Sequence, residues 1–203
     1  MGQQRGEWTK LGSTVLYTNP WITVREDRVI QPDGEEGTFG VVEMIPGVSV
    51  LPVDDDGTVY LVRVYRYTLD RESIETIAGG IEGAESAEET ARRELREEAG
   101  IEAEELIALG VVDQLTEVVV SADHLFLARK LSFVKPEREE TEQLACVAVP
   151  LEQAMAWALD GTIAHAASAS LIFKAVHLLG VRFESPIGRR MTMPVDGSIP
   201  KRS

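Results

Sequence analysis

The sequence predicts an α/β layer fold, in which strands and helices are mixed along the chain. Two observations support this prediction. Strand-like apolar segments give way along the chain to segments of helical periodicity, and 44% of the 203 residues are apolar, which is enough for one core. The chain has no apolar stretch long enough to cross a bilayer. We therefore expect one layered domain with appendages.

The first strands predict a small N-terminal β layer. The segments WITVREDRVI and TFGVVEMI have strand composition, and the intervening QPDGEEG provides Pro, Asp and Gly for a turn. We expect residues 1–45 to form an N-terminal β subdomain and residues 46–181 to form the main domain. The tail, residues 182–203, carries Pro and Gly without periodicity, which is typical of a flexible extension.

Further strands and helices follow in the main domain. GVSVLPV and TVYLVRVYRY are strand-like, and Asp56-Gly57 between them suits a tight hairpin turn. ESIETIAGG then runs from a strand into a Gly-rich loop. The segments LIALGVV, HLFLARKL and LACVAVPL predict more strands. LEQAMAWALDG and AASASLIFKAVHLLG predict helices, because their apolar residues recur every three to four positions.

The best-defined helix spans residues 87–99. Ser86 can cap its N-terminus, and Glu89, three residues on, completes a capping box. Gly100 provides the left-handed residue that ends a helix. The apolar stripe of this helix faces the core and consists of Ala87, Ala91, Leu95 and Ala99.

Three glutamates of the same helix lie on or beside this stripe. With 3.6 residues per turn, Glu98 projects into its middle, Glu94 lies at its edge and Glu97 is one step further round. A carboxylate kept from water costs several kcal/mol unless it is paired or binds a metal. The arrangement therefore requires a cation, either Lys or Arg or a hard divalent ion such as Mg²⁺. Zinc is disfavoured because the three histidines lack metal-ligand spacing; they are His124, His165 and His177.

The charge of the chain limits its partners. The net charge of −14 argues against nucleic acid and against an anionic membrane surface. Ten Glu and three Arg between Glu82 and Glu105 account for half of that charge. Such a run is usually a solvated helix face, so the position of its acids decides whether it has a function. A small anionic substrate is compatible with this net charge if bound cations attract it.

The single cysteine and the N-terminus indicate the compartment. Cys146 can form no intrachain disulfide, and its apolar setting, ACVAVPL, predicts a buried thiol. The start, MGQQRGEW, lacks the apolar segment of a secretory signal. We therefore expect a cytoplasmic protein.

The stretch from Gly79 to Ile101, GGIEGAESAEETARRELREEAGI, matches the pattern G-x5-E-x7-R-E-U-x-E-E-x-G-U at every position, where U is a bulky aliphatic residue. The pattern falls on Gly79, Glu85, Arg93, Glu94, Leu95, Glu97, Glu98, Gly100 and Ile101. This is the Nudix box, and the chain resembles the Nudix hydrolases. The resemblance implies an α/β/α sandwich with a mixed β-sheet. It also implies Mg²⁺-dependent cleavage, with Mn²⁺ as a substitute, of a nucleoside diphosphate linked to another group.

The resemblance also implies roles for individual box residues. The implied metal ligands are the carboxylates of Glu94, Glu97 and Glu98 and the carbonyl oxygen of Ala78. Arg93, together with Glu85, orients these carboxylates. Gly79 and Gly80 let the backbone approach the ion or the phosphates closely.

More of the chain resembles one branch, the ADP-ribose pyrophosphatases and related nucleotide-sugar hydrolases. LVRVYRY followed by IETIAGG is similar to that branch's strand and its Glu-x-Pro-Ala-Gly entry, with Ile77 where Pro is usual. Members specific for ADP-ribose carry a Pro-containing segment after the box, whereas VVDQLTEVVVSADHLFLA has none. The substrate implied is thus ADP-ribose or a nucleotide sugar.

The acidic loop PEREETEQ resembles a loop of that branch which provides a general base and another metal-binding acid. The alignment assigns these roles to Glu140 and Glu142, with Glu137 and Glu139 as rivals. A solvated acidic loop without a catalytic role is the alternative.

Several residues outside the box are candidate substrate contacts. Arg63 and Arg66 could grip a phosphate bidentately or form surface ion pairs. Glu75 could hold a metal or a sugar hydroxyl, or close a salt bridge. Core packing is favoured over base stacking for three aromatic residues, Trp8, Trp21 and Phe39.

The resemblance implies a homodimer in which the N-terminal strand WITVREDRVI is exchanged. Two other functions remain open, namely hydrolysis of oxidised nucleoside triphosphates and a non-catalytic regulator that binds nucleotides on the same fold. The intact acids argue against the regulator, because a protein that only binds nucleotides has little use for so many costly charges.

Overall fold

The computed structural model describes residues 2–136 and 144–181. Within these two ranges it contains twelve strands and three α-helices. The strands are β1 Gln3–Arg5, β2 Trp8–Thr18, β3 Ile22–Ile30, β4 Glu36–Met44, β5 Gly47–Pro52, β6 Thr58–Arg66, β7 Arg71–Glu75, β8 Ile77–Gly80, β9 Ile101–Asp113, β10 Val119–Val120, β11 Ala122–Phe133 and β12 Leu144–Pro150. The helices are α1 Ala87–Glu94, α2 Leu151–Asp160 and α3 Ala166–Leu178, with a 3-10 turn at Tyr67–Leu69 and a π-helical turn at Leu95–Ala99.

The core of the fold is a mixed sheet covered by helices on both faces. Its strand order is β8-β5-β11-β9, with β5 and β11 parallel and the other pairs antiparallel. A second, antiparallel sheet has the order β12-β6-β7. Alternate residues of β5 and β11 face opposite helices, as expected from the period of a strand. The predicted α/β/α sandwich is confirmed.

Two apolar clusters fill the two faces. On the α1 side, Val50 and Phe126 pack with Leu95 of the π-helical turn. On the other side, Leu51 and Leu127 pack with residues of α2 and α3, among them Leu171. Burying both faces explains why neighbouring residues of these central strands are apolar instead of alternating with polar ones.

The N-terminal layer is larger than the predicted hairpin. The hairpin is present as β3 and β4, paired from Ile22↔Met44 to Ile30↔Glu36. Strand β2 extends it on one edge, and β10 adds in parallel to β4 on the other, giving the order β1-β2-β3-β4-β10. The sequence gives β2 little signal because its second half, including Val15 and Tyr17, is exposed and lacks a buried alternating face.

The predicted turn at Asp56-Gly57 is present, but the strands that flank it separate. Gly57 has φ +86°, and the Asp54 amide donates to the Thr58 carbonyl at 2.8 Å. Beyond the bridge between Val53 and Val59, β5 and β6 belong to different sheets. Each strand already has a hydrogen-bonded neighbour on both sides, so neither has a free edge for the other.

The predicted helix at 87–99 corresponds to α1 and its π-helical turn. The capping box is confirmed, since the Glu89 amide donates to Ser86 Oγ at 3.2 Å and the Ser86 amide donates to Glu89 Oε2 at 2.8 Å. Gly100 ends the element with φ +64°, as predicted. The widening into a π-helical turn was not predicted.

The prediction of a buried Cys146 thiol is wrong, because the residue is exposed. Strand β12 lies at the edge of its sheet, with β6 as its strand partner among the described residues, so part of the apolar segment ACVAVPL faces outward.

No helix in the described ranges is both long enough and apolar enough to span a membrane.

Candidate active site

Strand β8 and helix α1 approach each other closely at Gly79. A Cβ atom built on Gly79 would lie 1.8 Å from Oε1 of Glu94, which is far inside van der Waals contact. The missing side chain therefore creates the space in which the Glu94 carboxylate rests against the strand. At Gly80, a Cβ would meet Cδ1 of Ile45 at 2.5 Å, so a side chain there would require the end of the Ile45 side chain to shift.

Arg93 is the cation at the centre of the acidic helix. Its Nη1 donates to Glu94 Oε1 at 2.7 Å and to Glu97 Oε2 at 2.9 Å. Its Nε donates to Glu85 Oε1 at 3.1 Å, and its Nη2 donates to the Gly80 carbonyl at 3.1 Å. Partial burial alone would lower the pKa of Arg93, but hydrogen bonds to Glu85 and the charge of Glu94 raise it well above its usual value. The guanidinium thus fixes the carboxylates relative to the loop before the helix.

The helix buries its acids as the stripe geometry predicts. Glu98 and Glu94 are only 8% and 7% exposed, while Glu97 is half-buried and Arg92 and Arg96 face outward. Glu98 Oε2 accepts a long hydrogen bond of 3.4 Å from the amide of Ala78. The structure therefore brings these acids to the backbone of β8.

The chemistry of this donor set fits a hard divalent ion. All the donors are carboxylate or carbonyl oxygens, the ligands that Mg²⁺ and similar ions prefer. The space at Gly79 lets one of them lie directly against the strand. Within the described ranges, however, no three His, Cys, Asp or Glu side chains are grouped closely enough to hold a metal ion. In this structure the positive charge between Glu94 and Glu97 is that of Arg93.

Arg66 and Glu75 form a second charged pair beside the box. Nε and Nη2 of Arg66 donate to the two oxygens of Glu75 at 3.0 and 2.6 Å, a bidentate contact. The Glu75 side chain is 3% exposed, whereas that of Arg66 is 45% exposed. Burial acts to raise the pKa of Glu75, but the bonds from Arg66 and the nearby charge of His165 lower it below its usual value. Of the three roles open to Glu75, the structure shows the salt bridge. Arg63 lies exposed on β6.

A buried polar network lies behind Glu75 and was not foreseen from the sequence. Ser168 Oγ accepts from the Thr76 amide at 2.9 Å and lies 2.8 Å from Nδ1 of His165. The same His165 nitrogen is 3.7 Å from Glu75 Oε2. The sequence contained one indication of this network, because Ser168 is a polar residue within the apolar stripe of a predicted helix.

The other candidates are dispersed. Trp8 and Phe39 pack edge to face with their ring centroids 5.5 Å apart. Core packing was the wrong expectation for Trp21, which is 65% exposed near the start of β3, and for Phe39, which is 37% exposed. The remaining candidates lie outside the described residues, and they are Glu137, Glu139, Glu140 and Glu142.

Sequence models of two domain families match the chain. Residues 8–42 match the nucleoside diphosphate sugar hydrolase N-terminal domain, and residues 44–169 match the NUDIX domain. The second match covers all of the four-stranded sheet and all of α1.

Individual proteins are similar as well. An ADP-ribose pyrophosphatase of Bacillus subtilis (strain 168) is 32% identical over 69% of this chain and 77% of its own. An ADP-ribose pyrophosphatase of Mycobacterium tuberculosis (strain H37Rv) is 30% identical over 89% and 88%. The crystal structure of an ADP compounds hydrolase superposes with a TM-score of 0.75 at 24% identity, covering 88% of this chain and 97% of that one, which shows the shared fold.

Nudix hydrolases generally need a divalent metal, in agreement with the oxygen-rich donor set described above. The box residues, the arginine-centred acids and the domain match agree with one another. The chain therefore belongs to the Nudix family and is a pyrophosphohydrolase that acts on nucleoside diphosphates linked to another group.

Proposed function

We propose that this protein hydrolyses ADP-ribose or a nucleotide sugar with the help of Mg²⁺, giving a nucleoside monophosphate and a sugar phosphate. The observation that carries the proposal is the hydrogen bonding of Arg93 to both Glu94 and Glu97, beside a strand that Glu94 and Glu98 contact directly. The match to a nucleoside diphosphate sugar hydrolase N-terminal domain and the two relatives named ADP-ribose pyrophosphatase support the substrate class.

The residues that would hold Mg²⁺, or Mn²⁺ in its place, are Glu94, Glu97, Glu98, Glu142 and, through its carbonyl oxygen, Ala78. When bound, such ions neutralise phosphate charge and lower the pKa of an attacking water. Glu140 is the proposed general base, a role that requires hydrogen-bond reach of the attacking water. Arg93 and Glu85 hold the carboxylates of the helix in place, because their hydrogen bonds connect the helix to the Gly-rich loop.

Arg66 is the proposed phosphate contact. Its Nε and Nη2 are turned toward Glu75, which leaves Nη1 without a partner among the described residues. A guanidinium held in this way can donate to a phosphate oxygen without losing its anchor. Arg63, which is also exposed on β6, is a second candidate for this phosphate contact.

Trp21 is the proposed stacking surface for the base. Its ring is exposed, and its backbone carbonyl accepts from the amide of Ile45 at 3.2 Å. Ile45 in turn packs against Gly80 of the box. An exposed indole would gain apolar contact by stacking on a base.

The experiment is a substrate panel with and without Mg²⁺. It compares ADP-ribose, nucleotide sugars, dinucleoside polyphosphates and oxidised nucleoside triphosphates by product release. We expect Mg²⁺-dependent turnover to be highest for a diphosphate linked to a sugar. Preference for triphosphates would support the rival enzyme, and tight binding without turnover of any compound would support the regulator.

The Glu98→Gln variant tests the site within the same assay. Loss of this buried carboxylate is expected to lower kcat by about 10²- to 10³-fold, the usual effect of removing one preorganised electrostatic group. The matched control is Glu88→Gln, an exposed acid of the same helix that pairs with Arg92. Near-normal turnover by the Glu98→Gln protein would refute the assignment.

A further inference from the structure

The chain passes from one sheet to the other at Thr76. Glu75 is the last residue of β7, in the antiparallel sheet, and Ile77 is the first residue of β8, in the four-stranded sheet. The proposed site uses both sheets, because Arg66 belongs to β6 and the ion-binding carbonyl of Ala78 belongs to β8. The relative placement of these two groups therefore depends on the β7–β8 junction at Thr76.

A buried serine of α3 holds this junction. Ser168 and Thr76 are both fully buried. Ser168 Oγ accepts a hydrogen bond from the Thr76 amide at 2.9 Å, and it lies 3.0 Å from Thr76 Oγ1 and 2.8 Å from Nδ1 of His165. Buried amides are almost always hydrogen-bonded, and leaving one without its acceptor is costly. Ser168 thus ties the junction to α3.

The two sides of the junction have different supports. Helix α3 packs on β5 and β11, so the position of Ser168 is set by the sheet that also contains β8. On the other side, Glu75 directly precedes Thr76 and accepts both hydrogen bonds from Arg66, at 3.0 and 2.6 Å. A shift of Thr76 would therefore move the anchor of Arg66 relative to β8.

Arg66 lies close enough to the acidic helix for such a shift to matter. Strand β6 contacts both β8 and the π-helical turn that carries Glu98. Hydrogen bonds to Glu75 and, to a smaller extent, the charge of Glu98 raise the pKa of Arg66 above its usual value. A diphosphate held by Arg66 and by the acidic helix would therefore bridge the two sheets.

We propose that Ser168 is a positioning residue for the hydrolysis. By accepting the Thr76 amide it fixes the β7–β8 junction, and it thereby sets the placement of Arg66 relative to the acids of the helix. The inference rests on the proposed function and deepens it, because it assigns a role to a residue that touches neither the substrate nor the ion. A displacement of about 1 Å between reacting groups can lower the rate about 10²-fold, so the effect is expected in kcat.

The Ser168→Ala variant removes the acceptor of the Thr76 amide. We expect kcat for a diphosphate linked to a sugar to fall about 10- to 100-fold with little change in KM, because alignment is lost while the binding groups remain. The affinity of the metal-free protein for Mn²⁺ should stay at the wild-type level, since Ala78 keeps its pairing with Ser49 of β5. Turnover is measured well below the unfolding temperature, and circular dichroism gives the folded fraction.

A double-mutant cycle with Arg66→Ala separates positioning from a general loosening of the fold. Without Arg66 the junction has no phosphate contact to align. Adding Ser168→Ala to the Arg66→Ala protein should therefore lower kcat by only about twofold or less, far from the loss it causes in the wild type.

Two further variants make the result specific. Ser168→Cys keeps a side chain of similar shape but replaces the hydroxyl with a weak acceptor. It should show a smaller loss of kcat of the same kind, even if the Ser168→Ala protein folds poorly. Ser170→Ala, at a half-buried serine of the same helix, is the matched control and should keep the wild-type kcat.

A wild-type kcat in folded Ser168→Cys or Ser168→Ala protein would overturn the positioning role. Losses that multiply fully in the double variant, or a fall in Mn²⁺ affinity parallel to the fall in kcat, would also overturn it. These outcomes leave the proposed function intact. Failure of the wild-type protein to hydrolyse any diphosphate linked to a sugar would overturn the proposed function, and this inference with it.

Discussion

At the scale of single residues, the site depends on one arginine that serves several acids. Arg93 contacts Glu85, Glu94, Glu97 and the Gly80 carbonyl with a planar fork of donors. Lysine carries the same charge but cannot donate in several fixed directions. The arrangement therefore depends on the geometry of the guanidinium as well as on its charge.

Replacing Arg93 with Lys should consequently lower both activity and stability. We expect kcat to fall by about 10²-fold, since misplaced groups lose catalytic alignment. The free energy of unfolding should fall by about 1 to 3 kcal/mol, because charged hydrogen bonds are lost in a partly buried site. Arg92→Lys, at an exposed i,i+4 pair with Glu88, should change stability by less than about 0.5 kcal/mol. Equal effects in the two variants, measured by urea unfolding and turnover, would contradict this role.

The Arg66–Glu75 pair predicts a specific pH dependence of stability. The pKa of Glu75 is lower in the folded protein than its ordinary value of 4.5, so the unfolded chain takes up the proton first. The stabilisation of the folded protein by this ion pair is then fully present above about pH 4.5. It is lost as the pH falls through the pKa of Glu75 in the folded protein. The Glu75→Gln protein should therefore be less stable than the wild type near neutral pH, and the difference should shrink in acid.

Urea unfolding of both proteins between about pH 7 and pH 3 measures this difference. Glu72→Gln, at an exposed acid of the same strand, is the control and should show little change. A Glu75→Gln difference that stays constant with pH would show that the pair contributes by packing alone.

At the scale of elements, the end of the acidic helix is fixed by Gly100. Its φ is +64°, and a Cβ there would lie 2.3 Å from the carbonyl oxygen of Val134. The Val134 amide also donates to the Gly100 carbonyl at 2.8 Å, which connects the helix end to the end of β11. The π-helical turn that carries Glu97 and Glu98 is thus enclosed by backbone on its C-terminal side.

Gly100→Ala should destabilise the protein more than the same substitution at a glycine that has a positive φ but no close neighbours. The positive φ alone costs about 1 to 3 kcal/mol at a non-glycine residue, and the backbone clash adds to it. Gly83→Ala is the matched control, because Gly83 has φ +54° with nothing within 4 Å of its Cβ position. Thermal or urea unfolding of both variants measures the difference. Equal losses of stability in the Gly100→Ala and Gly83→Ala proteins would mean that the structure relieves the clash without cost.

Local chemistry made α1 predictable from the sequence. The capping box and Gly100 act within a few residues, so the bounds of the helix and the inward direction of Glu94 and Glu98 followed from spacing alone. Features set by distant segments were not predictable. The separation of β5 from β6 depends on which strands cover their edges, and the exposure of Cys146 depends on β12 lying at an edge. Oδ1 of Asp123 on β11 is buried without a hydrogen-bond partner in the described part of the chain, and this environment forms only when β5 and β11 pair.

At the scale of the whole molecule, the N-terminal sheet presents apolar side chains outward. Val15, Leu16 and Tyr17 at the end of β2 are 59%, 63% and 54% exposed, and Trp21 lies nearby in sequence. Clustered apolar exposure of this kind is typical of protein interfaces. It is consistent with the homodimer, formed through the N-terminal strands, that the resemblance implies.

We therefore expect light scattering after size exclusion to give twice the chain mass of 22.3 kDa. Leu16→Glu should shift the protein toward the monomer, because a charge buried in an apolar interface is costly. Leu178→Glu, at a 51% exposed leucine on α3, is the control and should leave the mass unchanged. A wild-type protein that is monomeric at micromolar concentration would refute the dimer.

The central claim is that carboxylates from one helical segment hold the divalent ion on which hydrolysis depends. Titration of the metal-free protein with Mn²⁺, followed by electron paramagnetic resonance of the free ion, tests it most directly. The wild type and the Glu88→Gln control should bind Mn²⁺, and the Glu94→Gln/Glu98→Gln double variant should lose about 10- to 100-fold or more in affinity. Equal Mn²⁺ binding by the double variant and the wild type would contradict the account.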